Sequence, residues 1–186
     1  MSKTKDLTFM AMYLALFYVL DFIANQLQLF KMPQGGTLGL GIIALLLASY
    51  HLGWKKGTVV ALMSVLLQFM TGQMYIVSPM QFVLEYLLAF GIYGMSSLLP
   101  NIRFVYTGII VTNLLRLAFH TIAGVLYWET ALFASFSYNA WYMIPTMLVC
   151  LVMVLFTKRK PEISRFEGFS LISIYILYIV YVLFRR

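Results

Sequence analysis

The sequence predicts an all-α integral membrane protein, a bundle of six transmembrane helices plus an additional C-terminal apolar helix. Three observations predict it. Of 186 residues, 62% are hydrophobic and only 10% are charged, whereas roughly a quarter of a soluble domain is charged. Apolar runs recur along the whole chain, several near the roughly 20 residues that cross a bilayer. Apart from Arg116, the basic residues sit between these runs or at the chain ends. A chain with too little charge to coat itself takes lipid as its outer solvent. The formal net charge of +7 then follows membrane topology, and no nucleic-acid partner is expected.

The elements follow in order. Met1-Ser2-Lys3-Thr4-Lys5-Asp6 is short and basic and leads into the run 7–30. A signal peptide has a shorter apolar core and then a small-residue cleavage site. This run instead continues through Asp21, Asn25 and Gln26, and is read as a retained first helix. Met32-Pro33-Gln34-Gly35-Gly36 is a turn cluster. The second and third helices are expected over 38–52 and 57–70, joined by the basic connection Gly53-Trp54-Lys55-Lys56-Gly57. Thr71-Gly72-Gln73 opens a loop before Pro79, which suits the first turn of a helix. The fourth helix is expected over 80–99, ended by Pro100-Asn101. The fifth and sixth are expected over 104–128 and 134–156. Residues 1–157 are read as one membrane domain. Residues 158–186 are a basic linker and an apolar run, 169–184, of marginal length for a span.

Orientation follows from Lys and Arg. With a cytoplasmic N-terminus, the inner loops carry Lys3, Lys5, Lys55, Lys56, Arg103, Lys158, Arg159, Lys160 and Arg165, and the outer loops only Lys31. That asymmetry favours this orientation.

Ionisable groups at membrane depth cost roughly 2.5–3.5 kcal/mol each on insertion scales, and persist when paired or functional. This chain has Asp21, Glu85, Arg116 and His120. Arg116 and His120 are four residues apart and share a helix face. Gly124 extends the stripe, Asn113 and Tyr127 flank it and Trp128 closes it. Such a stripe faces a bundle interior. Arg116 is expected to be structural, neutralised by Asp21 or Glu85, with Asp21–Arg116 as the ion pair. Glu85 has Gln81 one turn before it, Tyr86 beside it and Tyr75 in the preceding loop. Asn139 lies near the outer start of the sixth helix. Helix spacing puts Glu85, His120 and Asn139 one to two turns below the outer surface. A carboxylate among aromatic faces and amides suits a flat, cationic, hydrogen-bonding ligand.

Several chemistries lack their motifs. There is no Walker A run, no His-Glu-x-x-His and no Gly-x-Ser-x-Gly, so neither ATP hydrolysis nor an enzyme activity is expected. The single cysteine, Cys150, gives no disulfide framework, and no Cys/His spacing fits a metal.

Four segments carry a resemblance. The run Tyr75-Ile76-Val77-Ser78-Pro79-Met80-Gln81-Phe82-Val83-Leu84-Glu85-Tyr86 resembles a signature of the thiamine-specific substrate-binding subunits of energy-coupling factor transporters. So do Leu114-Leu115-Arg116-Leu117-Ala118-Phe119-His120-Thr121-Ile122-Ala123-Gly124 and Ser137-Tyr138-Asn139-Ala140-Trp141-Tyr142-Met143-Ile144-Pro145. Met32-Pro33-Gln34-Gly35-Gly36 is similar to the first outer loop of some members. The resemblance implies six helices, a thiamine site near the outer face and no ATPase of its own. It implies that Glu85 holds the aminopyrimidine. Tyr86, His120, Gly124, Trp128 and Asn139 would line the rest, with Tyr75 on a covering loop. It implies partners too: a membrane scaffold subunit, docked through Ala11 and Ala15 of an Ala-x-x-x-Ala motif, and two ATPase subunits. Relatives often carry a tyrosine five residues before the asparagine, where this chain has Ala134. Two other readings stay open: the same architecture holding another vitamin or a thiamine precursor, and a membrane assembly protein without a ligand.

Overall fold

In lipid every backbone amide must be paired inside its own segment or a closed barrel. The chain takes the helical solution. The computed structural model describes residues 3–72, 74–102 and 106–157, with side chains as far as Val154. Residues 1–154 form one unit and 155–186 another. The C-terminal apolar run expected over 169–184 lies outside the described residues.

The described residues fold into helices, with one short 3-10 turn at Ser96–Leu98 after the fourth. The first helix is Lys3–Gln26, the second Ile42–Leu52 and the third Trp54–Met70. The fourth is a continuous run, 79–94. It begins as α-helix (Pro79–Phe82), passes through a π-helical stretch (Val83–Leu88) and returns to α-helix (Ala89–Gly94). The fifth is Thr107–Tyr127 and the sixth Leu132–Thr157. The first, the fifth and the stretch Leu132–Val154 are long and apolar enough to cross a membrane.

The boundaries differ from expectation where side chains or turns intervene. The first helix stops at Gln26 because Gln28 and Phe30 adopt left-handed backbone, at φ 50° and 52°, which closes helices. The second starts four residues later than expected. Leu38 N–H donates back to Leu29 O at 2.8 Å and Gly39 N–H to Thr146 Oγ1 at 2.9 Å, so 38–41 ties the first loop to the sixth helix. The fourth ends at Gly94, not 99. There Ser49 Oγ donates to Gly94 O at 2.6 Å and accepts from Ser97 N at 3.1 Å.

The second helix is apolar all round and almost wholly buried, with Ile42, Leu45, Leu46 and Ala48 at its centre. A short helix of that kind belongs inside a bundle rather than on its surface. Phe17 from the first helix, Val60 and Val65 from the third, Phe90 and Tyr93 from the fourth and Ile109 from the fifth complete the core. Small residues allow the closest crossing. A Cβ on Gly57 would stand 2.7 Å from Ser49 Cα, and one on Gly94 would run into the backbone of Thr58.

Opposite the site described below, two polar contacts tie down the first helix. Lys56 Nζ meets Asp6 Oδ2 at 2.6 Å, and Tyr13 Oη lies 2.9 Å from His51 Nδ1. Ala11 and Ala15 are exposed on the same helix.

Gly94→Ala is expected to lower stability by about 1–3 kcal/mol, the usual range for overpacking. Gly91→Ala meets only Leu62 Cδ2 at 3.4 Å and should be neutral or stabilising. Thermal unfolding in detergent compares the two, and equal midpoints would contradict the close crossing.

Candidate functional site

The start of the fourth helix builds half of the site. Ser78 caps it, its Oγ accepting from Gln81 N at 3.1 Å, and Pro79 occupies the first turn, where a missing N–H is harmless. The π-helical stretch follows at once. Such stretches are rare and frequent at functional sites. This one carries Glu85 and Tyr86, and both line the same cavity.

Gln81 is fully buried. Its Nε2 donates to Tyr75 O at 3.0 Å and to Glu85 Oε2, and its Oε1 accepts from Val77 N at 3.3 Å. Tyr86 Oη accepts from Tyr75 N at 2.8 Å and lies 3.3 Å from Tyr75 O. The loop before the fourth helix is thus stitched to the helix that follows it.

The fifth helix supplies the facing wall. His120 Nδ1 lies 3.4 Å from Glu85 Oε1. Trp128 ends the helix, with its ring 5.5 Å from that of Tyr75, and both rings line the cavity with Glu85. Gly124 is a packing position as well as a lining one, since a Cβ there would collide with Ser135 Oγ. Ser135 Oγ donates to Thr121 O at 2.9 Å, drawing the fifth and sixth helices together.

The sixth helix adds an amide and two phenols. Asn139 Oδ1 accepts from Tyr142 Oη at 2.9 Å, and its Nδ2 donates to Ser135 O at 2.9 Å. Tyr138 Oη accepts from Gln34 N at 3.0 Å and lies 3.2 Å from Gly35 O. The first loop is fastened there. Gly36 rests on the Tyr142 ring, 2.7 Å from any Cβ it might carry, at φ +93°. Space and backbone both require glycine at that position.

These groups enclose one cavity of about 780 Å³. Its wall includes Tyr75, Glu85, Tyr86, His120, Gly124, Trp128 and Asn139, and also Asp21 and Arg116. The expected direct Asp21–Arg116 ion pair is not formed. Among the described residues the ion pairs within 4 Å are Lys56–Asp6 and His120–Glu85. The Arg116 guanidinium instead lies 4.8 Å over the Phe90 ring and 5.9 Å from that of Tyr93, where ring faces attract a cation. Asp21 is held by Asn25 Nδ2 at 3.2 Å. Arg116 Nε and His120 Nε2 are buried without a hydrogen-bond partner. Among the described residues no group of His, Cys, Asp and Glu is placed to hold a metal ion.

Sequence reasoning did not assign Gln68, Tyr138 and Tyr142 to the cavity, which they line. For the two tyrosines a signal was present: Ser135, Tyr138, Asn139 and Tyr142 recur at helical spacing as a second polar stripe. Gln68 is a lone amide in an apolar helix and carries no such pattern.

Residues 7–164 match the family described as Thiamine transporter protein (Thia_YuaJ). The chain belongs to this thiamine transporter protein family. It is therefore a multi-pass membrane protein of a transporter family, not an enzyme. It is 28% identical over 171 residues to the thiamine transporter ThiT of Bacillus subtilis (strain 168), covering 79% of this chain and 87% of that one. It also shares the fold of a solved structure of ThiT from Listeria monocytogenes, with a TM-score of 0.66 at 23% identity, over 83% of this chain and 93% of that one.

Tyr138→Phe should free the first loop. Hydrogen exchange at the Gln34 amide is expected to speed up by roughly fivefold, in keeping with about 1 kcal/mol for one hydrogen bond. An unchanged rate would mean that the loop is held by other contacts.

Proposed function

We propose that this chain is the high-affinity thiamine-binding subunit of an energy-coupling factor vitamin transporter. The observation that carries the reading is the Glu85 carboxylate, buried in the cavity wall between Gln81 and His120, in a cavity that the adjacent rings of Tyr75 and Trp128 also line. Thiamine joins an aminopyrimidine, which needs hydrogen-bonding partners, to a thiazolium cation. Glu85 accepts from the aminopyrimidine and balances the charge. Tyr86, His120 and Asn139 surround it, Gly124 leaves the wall open, and the rings of Trp128 and Tyr75 take the cation's face. Cation–π attraction contributes about 2 kcal/mol when desolvated.

The rest of the proposal concerns the membrane and the partners. Six helices span the cell membrane, the N-terminus is cytoplasmic and the site faces outward, as the Lys and Arg distribution favours. Residues 1–157 bind the substrate, and 158–186 add a linker and a further apolar helix. The chain has no phosphate-binding loop to hydrolyse ATP. It works with a membrane scaffold subunit, through the exposed Ala11 and Ala15, and with two ATPase subunits. A second reading keeps the architecture and changes the ligand to another vitamin or a thiamine precursor. It is favoured by Ala134, a small residue in the cavity wall.

Thiamine titrated into detergent-purified protein is expected to quench tryptophan fluorescence saturably below micromolar concentration. Trp128→Ala should abolish the signal, and Glu85→Gln should weaken binding by at least about tenfold, or 1.4 kcal/mol. Tighter binding of the free pyrimidine or of thiamine phosphates would shift the assignment to the second reading.

A further inference from the structure

The proposed ligand carboxylate and the loop that roofs the cavity are joined by one side chain. Gln81 touches both. Its amide has two N–H donors and an acceptor oxygen, and all three functions are used. One N–H goes to Glu85 Oε2 and the other to Tyr75 O at 3.0 Å, while Oε1 takes the Val77 N–H at 3.3 Å. The partners are two acceptors and one donor, so they fix which end of the amide is which. The residue is fully buried, so water does not substitute for a lost contact. With Oε2 held by Gln81, the other carboxylate oxygen is the one 3.4 Å from His120 Nδ1.

We infer that Gln81 is a positioning residue that couples Glu85 to the 74–78 loop, so that a ligand on the carboxylate is felt as tightening of the roof. The inference rests on thiamine being the ligand. No other standard side chain provides the same three contacts from this position. Glutamate would set a second carboxylate against Glu85 and against Tyr75 O. An apolar residue would leave the Glu85 oxygen, the Tyr75 carbonyl and the Val77 amide without their partner. The other stitch, Tyr86 Oη on the backbone of Tyr75, holds the loop without touching Glu85. It supplies strength but no link to the carboxylate. Tyr75 completes the chain of contacts, because its ring rests against Trp128. Holding the backbone at residues 75 and 77 therefore holds an aromatic face of the roof, and the effect belongs in ligand residence time.

Two measurements test this. In the unaltered protein, saturating thiamine should slow amide exchange over residues 74–78 by about tenfold or more. Exchange unchanged by bound thiamine overturns the coupling. In Gln81→Met, which keeps length and loses the amide, the thiamine off-rate should rise by about tenfold, and bound thiamine should no longer slow exchange over 74–78. An off-rate like that of the unaltered protein, or retained slowing at saturation, overturns it as well. A role in stability alone would lower the melting point of the empty protein and leave the ligand-dependent slowing in place. If Gln81→Met does not fold, the first measurement still decides. Failure of the unaltered protein to bind thiamine would be the failure of the functional reading instead, and fluorescence titration distinguishes the two.

Discussion

A carboxylate kept inside an apolar bundle is the constraint on which the rest of this structure depends. Away from water, Glu85 needs neighbours that satisfy it, and in the proposed function they must also leave it open to a ligand. The chain meets both needs without a guanidinium or ammonium on the carboxylate. An amide holds one oxygen, an imidazole faces the other, and the nearby guanidinium is turned away onto aromatic rings. A guanidinium locked onto Glu85 would be a tight internal pair, and a cationic ligand would have to break it. Holding Arg116 aside keeps local charge balance without giving up the carboxylate.

That arrangement requires rigid walls. The close crossings at Gly57 and Gly94 and the buried second helix set the framework on which the fourth and fifth helices stand. Ser135 and Gly124 bring the sixth helix against the fifth, and Asn139 and Tyr142 line the same cavity as His120. Both loops beside the cavity are then held from below by side chains of the helices, Tyr138 for one and Tyr86 with Gln81 for the other. Leu27, Phe30, Ile76 and Val77 in these loops stay exposed, so hydrogen bonds from the bundle contribute to their order.

Much of this was legible in the sequence. The Arg116–His120–Gly124 stripe and the Gln81–Glu85 spacing could be read from helical periodicity alone, and ionisable residues at membrane depth point inward for a plain energetic reason. Other features were not legible, for reasons that are equally physical. Asp21 and Arg116 are the obvious pair on charge, yet a guanidinium is also attracted to ring faces, and only three-dimensional packing shows which neighbour it meets. Tyr138 and Tyr142 lie near a helix end, where tyrosine commonly marks the membrane interface, and that statistical role masks their place in the cavity wall. The helix ends at Gln26 and Gly94 moved because left-handed residues and a serine from another helix decided them, and neither belongs to hydrophobic patterning.

The π-helical stretch at 83–88 has a consequence for the directions in which one helix can point its side chains. A π turn holds about one residue more than the α turn it replaces, and each residue advances an α-helix by about 100°. The helix before the bulge is therefore rotated out of phase with the helix after it. Ala89–Gly94, which packs against the third helix, therefore points its side chains around the axis differently from the turn that carries Gln81. One helix thus serves a core face and a cavity face whose directions a regular α-helix would not combine.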